Sequence, residues 1–179
     1  APTALTNGYM LWNDRPGVVV FDFDRDGDQD LYITTEAGRS NWLYRNEGDG
    51  SFVDVAEAAG VASAKDFSTG VVACDIDNDG FQDLYVGAWG DPKDKLDFRS
   101  PPEGQGNKDR LFRNNGDGTF EDITDSAFGD AVNYRSAVGI ACADVDNDGW
   151  VYFYVGNLAD DSFRTFDKAS HPGHYNLLY

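Results

Sequence analysis

Asp22-Phe23-Asp24-Arg25-Asp26-Gly27-Asp28-Gln29-Asp30-Leu31-Tyr32-Ile33 combines an acidic loop with the start of a strand. Carboxylates recur on alternate residues, a glycine then permits a sharp turn, and the chain leaves as a short β-prone run. The pattern returns at Asp75-Ile76-Asp77-Asn78-Asp79-Gly80 and at Asp144-Val145-Asp146-Asn147-Asp148-Gly149. Each copy follows an apolar stretch: Gly17-Val18-Val19-Val20-Phe21, Gly70-Val71-Val72-Ala73-Cys74 and Gly139-Ile140-Ala141-Cys142-Ala143. Three copies of a loop in one setting make an internal repeat.

The acidic spacing suits a hard cation. Calcium takes about six to eight oxygen ligands, from carboxylates, carbonyls and water. Positions 1, 3 and 5 of such a loop supply side-chain oxygens, and position 7 supplies a backbone carbonyl. The predicted ligands are therefore Asp22, Asp24, Asp26 and the carbonyl of Asp28 in the first copy, and Asp75, Asp77, Asp79 and the carbonyl of Phe81 in the second. Position 9 adds Asp30 and Asp83. Where an EF-hand has its bidentate Glu, at position 12, these copies have Ile33, Val86 and Val155, so the cage closes within nine residues. Two carboxylates about 4 Å apart repel by roughly 4 kcal/mol at an effective dielectric near 20, which disfavours an empty cluster. The third copy offers Asp144, Asp146, Asp148 and the Trp150 carbonyl, but its ninth position is Tyr152. Two calcium sites and a weaker third are expected.

Strand signals extend each unit. After the loop come Leu31-Tyr32-Ile33, Leu84-Tyr85-Val86 and Phe153-Tyr154-Val155. A third strand, Leu43-Tyr44-Arg45-Asn46 or Leu111-Phe112-Arg113-Asn114, leads to a Gly-Asp-Gly hairpin at 48–50 or 116–118. A fourth follows at Phe52–Val55 or Phe120–Ile123. Four antiparallel strands per repeat describe a propeller blade. The apolar first strand suits the innermost position, covered on both faces. The reading is all-β: one domain over 1–179, with repeats at about 17–64, 65–132 and 133–179, the last incomplete, forming a partial or open propeller. Asn176-Leu177-Leu178-Tyr179 matches the start of a third strand, and Val55–Ala64 has room for a short helical turn.

The segments DFDRDGDQDLYI, DIDNDGFQDLYV, LYRNEGDGSF and LFRNNGDGTF resemble the FG-GAP (VCBS) repeat family, most closely its cartilage-acidic-protein-like and ASPIC/UnbV-type branch. The resemblance covers nearly all of residues 17–179, and Tyr152 is its main departure. It implies a calcium-bearing β-propeller, secreted or on a cell surface, concerned with adhesion or recognition.

A formal net charge of −18 disfavours nucleic acid and anionic membrane as partners. No apolar run reaches the roughly 18 residues of a transmembrane helix, and no signal-peptide pattern is visible, so membrane insertion is not expected. Exposed calcium sites of extracellular modules work at roughly 0.1–1 mM, which places the chain outside the cell. Cys74 directly precedes its loop, whereas Cys142 lies two residues ahead of Asp144. That parity difference points them to opposite strand faces, and two small buried residues are expected rather than a disulfide. His171 and His174 lack the further ligands of a transition-metal site.

Successive loops begin 53 and then 69 residues apart, and the extra length falls between the second and third strands. Loops 87–110 and 156–176 would therefore lie on the face opposite the acidic loops. They carry seven of the fourteen Lys and Arg residues, with Trp89, Phe98, Phe163 and Phe166 among them. Aromatics and Arg favour recognition, so a protein or glycan partner is expected there, unless the cations pair with neighbouring Asp residues. An open blade could instead be completed by other copies of the chain in a head-to-tail assembly. Catalysis is not expected: neither cysteine has an evident activating base, and calcium explains the clustered Asp residues better than glycoside chemistry does.

Overall fold

The computed structural model describes residues 16–35, 39–64, 66–89, 108–132, 137–157, 168–170 and 176–178. They form three four-stranded sheets. The first holds β1 (Val18–Phe21), β2 (Asp30–Ile33), β3 (Trp42–Asn46) and β4 (Phe52–Asp54), antiparallel in chain order. After it comes α1 (Ala56–Ala59), the helical turn expected within 55–64, closed by Gly60. The second sheet repeats the plan with β5 (Ser68–Cys74), β6 (Asp83–Ala88), β7 (Arg110–Asn114) and β8 (Phe120–Asp122). It is followed by α2 (Thr124–Phe128) and a 3₁₀ turn at Gly129–Ala131. The third sheet contains β9 (Ala137–Ala143), β10 (Tyr152–Asn157), β11 (Lys168–Ser170) and β12 (Asn176–Leu178).

The third sheet departs from the expected plan. Residues 176–178 take the third place, beside β10, but run parallel to it. The outermost strand is β11, antiparallel to β12. The cause is a count of reversals. The chain turns back once to make β11 and again to make β12, so β12 regains the direction of β10.

The sheets stack as blades, through the faces of their first strands. One core lies between the first and second blades, where Phe21, Tyr32 and Leu43 meet Leu84, Val86 and Phe112. A second lies between the second and third, where Tyr85, Leu111 and Ile123 meet Phe153 and Val155. Alternation along the strands of the middle blade sends successive side chains to opposite cores. Val71 and Ala73 pack against the first core, Val72 and Cys74 against the second. Only the middle blade has its first strand sandwiched in this way. In β1, Val18 and Val20 are 61% and 56% exposed, a correction to the expectation that every first strand is covered on both faces. Covering both faces needs a blade on each side.

Away from the acidic loops, threonines tie the blades together. Thr34 Oγ1 donates to the Thr69 carbonyl, and Thr69 Oγ1 donates to the Ala137 carbonyl at 2.7 Å. Nearby, Gly87 has no room for a side chain: a Cβ there would stand 2.7 Å from Ile140 Cδ1 and 2.8 Å from Ala137 Cβ.

Cys74 and Cys142 form a disulfide, with Cα atoms 6.7 Å apart. This corrects the expectation of two separate thiols. Within one sheet the parity difference keeps the two residues apart, but between neighbouring blades it is what a bridge requires. The far face of one blade meets the near face of the next, so the two partners must point in opposite senses. The bridge spans 68 residues of chain. By the chain-entropy argument a closure of that length contributes about 4 kcal/mol. Urea unfolding of a Cys74→Ser/Cys142→Ser variant should show a loss of about 2–4 kcal/mol, and the unreduced parent should carry no thiol that reacts with an alkylating reagent.

Candidate metal centres

Each acidic loop joins the first two strands of its blade and takes the same backbone path. Position 4 is left-handed in all three copies, with φ of 59° at Arg25, 60° at Asn78 and 59° at Asn147. The glycine at position 6 follows with φ between 90° and 98°. Side chains rarely adopt either conformation, and glycine adopts the second without steric cost.

The path gathers carboxylates. Ligand-capable oxygens of Asp22, Asp24 and Asp30 lie within 4.8 Å of one another, as do those of Asp75, Asp77 and Asp83, and of Asp144, Asp146 and Asp148. All three clusters could hold a metal ion. Position 5 is handled unevenly: Asp26 and Asp79 stand outside the first two groups, while Asp148 belongs to the third. Asp26 Oδ1 accepts the N–H of Asp28 at 2.9 Å, and Asp79 Oδ1 accepts that of Phe81 at 2.8 Å. Asp148 Oδ1 does the same for Trp150 at 2.9 Å. These bonds fix position 7, whose carbonyl is the expected backbone ligand.

The ninth-position carboxylates are buried, at 0% exposure for Asp30 and 1% for Asp83. Asp30 Oδ2 accepts the N–H of Phe23 at 3.0 Å, and Oδ1 accepts that of Asn46 at 2.8 Å. Asp83 repeats this with Ile76 at 2.8 Å and Asn114 at 2.7 Å. Each carboxylate thus joins its loop to the end of the third strand. Asn46 and Asn114 were not singled out by sequence; their signal was the shared Arg-Asn step before each Gly-Asp-Gly hairpin.

Electrostatics oppose the ion-free cluster. Burial, with further push from Asp77 and Asp79, raises the Asp83 carboxyl to about 7 despite its two N–H donors. Asp30 is raised by burial and then by Asp24 and Asp26, against the N–H groups of Asn46 and Phe23. Burial also raises Asp24 and Asp77, with Asp26 and Asp79 as the next causes. In addition, Asp22 Oδ1 is buried without a hydrogen-bond partner. A buried oxygen left unpaired is costly, and a cation at the cluster centre would satisfy it and favour the ionised carboxylates. The residues of the first two loops fit such an ion.

The third loop is built differently. Its three carboxylates are exposed. Tyr152 is buried, and its hydroxyl donates to Asp146 Oδ2 at 2.8 Å. That bond, then burial and the neighbouring carboxylates, push the phenol up to about 12. A neutral donor therefore stands where the other loops place a buried anion.

The loops that sequence assigned to a partner lie mostly outside the described residues, as do His171 and His174. Trp89 is described and is buried rather than available to a ligand. Lys108 pairs with Asp125, and Arg110 pairs with Asp66 and Asp122, so these two cations hold blade structure. Among the described residues no helix is long and apolar enough to cross a membrane.

Stacked four-stranded sheets, each with an acidic loop between its first two strands, define a repeat protein of the β-propeller type. The FG-GAP-like repeat matches residues 7–86 and 98–155, and the chain belongs to that family. It is also 30% identical over 155 residues to cartilage acidic protein 1 of Xenopus tropicalis, covering 85% of this chain and 21% of the relative. The Homo sapiens protein of the same name is 30% identical over 155 residues, with 85% and 20% covered. This chain spans about a fifth of the length of the curated relatives it matches.

Proposed function

We propose that this chain is an extracellular calcium-binding β-propeller module with a structural and recognition role of the adhesion type. Calcium in its acidic loops would hold the blades rigid. The observation that carries this reading is the buried, ninth-position carboxylate of the first two loops, set beside the unpartnered Asp22 Oδ1. Asp22, Asp24 and Asp30 would hold one ion, and Asp75, Asp77 and Asp83 another. Carbonyls of Asp28 and Phe81, and water outside Asp26 and Asp79, would complete the shells. An all-oxygen, acidic set is the donor chemistry of a hard cation. Asp144, Asp146 and Asp148, with the Trp150 carbonyl, would give a weaker, more hydrated site. The interblade disulfide supports an oxidising, extracellular location.

The role of the ion would be structural. A ligand that binds the native and not the unfolded chain stabilises by about 2.7 kcal/mol per site at one hundredfold over its dissociation constant. Calorimetric titration of the chelator-stripped chain should show two tight sites and one weaker one. Chelation should lower the melting temperature; an unchanged melting temperature would remove the structural role.

A protein or glycan would be held through loops 87–110 and 156–176. Strand order supports this position: the β6–β7 connection leaves the blade at the end away from the acidic loop. Deleting residues 92–107 should leave cooperative unfolding intact while abolishing retention on matrix-protein or glycan surfaces. Loss of folding would make the loop structural.

A second reading rests on the open face of the first blade. Val18, Val20 and Trp42 are exposed on one side of that sheet, in register through Ile33 and Leu31. Such a face favours head-to-tail association with further copies, in a fibre or other assembly. Light scattering should then show mass growing with concentration; a monomer at all concentrations excludes it.

A further inference from the structure

The two buried carboxylates of the first and second loops are joined by one line of hydrogen bonds across the blade junction. Asp30 Oδ2 accepts the N–H of Phe23 at 3.0 Å. The carbonyl of Phe23 accepts Asn114 Nδ2 at 2.7 Å. The backbone N–H of Asn114 then donates to Asp83 Oδ1 at 2.7 Å. Asp30, Phe23, Asn114 and Asp83 are each at most 2% exposed, so no step of the line is open to competing water. Above it, the Arg25 guanidinium sits 5.1 Å from the centre of the Phe81 ring, linking position 4 of the first loop to position 7 of the second.

We propose that Asn114 couples the first two metal loops, so that filling either one raises the affinity of the other. The inference rests on the calcium reading given above. Fixing Asp83 in an occupied second loop fixes the backbone of Asn114. Its amide is then held on the Phe23 carbonyl, and Phe23 presents its N–H to Asp30. The first loop is thereby ordered before its own ion arrives and loses less conformational freedom on binding. The coupling is reciprocal, since each ligand must shift the other's affinity by one common factor.

Asn46 provides an internal control. It occupies the equivalent place in the first blade, and its N–H holds Asp30 as that of Asn114 holds Asp83. Both side-chain oxygens accept from a hairpin glycine, Gly48 at 3.1 Å and Gly116 at 2.9 Å. Both amides also donate to the carbonyl just before the ninth-position Asp, Asn46 to Gln29 and Asn114 to Gln82, each at 3.2 Å, but the Asn114 amide reaches across the junction to Phe23 as well. Asn46→Ala thus removes the same local bonds as Asn114→Ala without touching the junction. A residue that only stabilised its hairpin would give the two variants equal effects.

The experiment is a calcium titration of the stripped full chain by calorimetry, in three backgrounds, each with and without Asp77→Asn. Asp77→Asn disables the second loop and exposes the affinity of the first alone. In otherwise native protein this change should weaken the first loop by about 5–150-fold, the usual range of such coupling. In an Asn114→Ala background the same change should leave the first loop within about twofold, whereas in an Asn46→Ala background the full weakening should persist. Asn114→Ser, whose short hydroxyl cannot span to Phe23, replaces the alanine variant if that one fails to fold. Equal first-loop affinity with and without Asp77 overturns the coupling. Coupling that survives loss of the Asn114 amide overturns its assignment to that residue. Absence of any calcium binding would instead remove the calcium reading, and the coupling with it.

Discussion

Each of the first two blades turns on one buried carboxylate. Asp30 and Asp83 sit at the start of the second strand, accept one N–H from the loop behind them and one from the end of the third strand. Three segments distant in sequence are held by two oxygen atoms. A charge in such a place is destabilised by desolvation, and burial is the largest cause that raises both carboxyls above the usual carboxylate range. Two N–H donors do not remove that cost. The blade corner is therefore well ordered in geometry and unfavourable in charge, and this combination makes it suited to a cation. The loop's left-handed fourth position and its glycine turn follow from the need to bring Asp22 and Asp24, or Asp75 and Asp77, back over that carboxylate.

What the sequence made legible was short in range. Alternating carboxylates, the glycine turn, the apolar strands and the Gly-Asp-Gly hairpins are each patterns of about a dozen residues or fewer, and the structure places them as expected in the first two blades. The acidic clusters were legible for the same reason. Position 5 was less so. Asp26 and Asp79 share the alternation of Asp22 and Asp24 and each holds the N–H two residues on, yet they stand outside their groups of three, whereas Asp148 makes the same bond and stands within its own. Relations between blades were not legible. The amide of Asn114 meets a residue ninety-one positions earlier, and nothing in the local pattern of Arg113-Asn114 distinguishes it from Arg45-Asn46. The reversed strand of the third sheet was hidden likewise, since the motif at 176–178 fixes a strand without fixing the direction in which it is met.

The disulfide shows how a correct local reading gave a wrong conclusion. Strand parity did place Cys74 and Cys142 on opposite faces of their own sheets. In a stack of sheets, though, opposite faces are the ones that touch. The same rule governs the apolar contacts: Phe21 precedes its loop as Cys74 does, and Ala73 stands two ahead of its loop as Cys142 does, and these two pack in the first core. The bridge thus stands at the positions where the first junction sets an aromatic residue and a small one in its core.

Position 4 of the loops extends this argument to the acidic end of the blades. Its left-handed backbone is tolerated by Asn better than by most residues, and Asn fills it in the second and third copies. In the second copy, Asn78 Nδ2 donates to the Gly149 carbonyl of the third loop at 3.0 Å. The first copy has Arg25 instead, in a conformation that a long side chain adopts at a cost. The compensating contact is its guanidinium over Phe81, and Gly80 beside it leaves the space, since a Cβ there would come 2.9 Å from Arg25 Nη1. Both junctions therefore use position 4 to touch the sixth or seventh position of the next loop. Those positions carry the turn and the expected carbonyl ligand, so position 4 of one loop is in contact with the turn of the next. The loops are separate in sequence but form one connected edge in the fold.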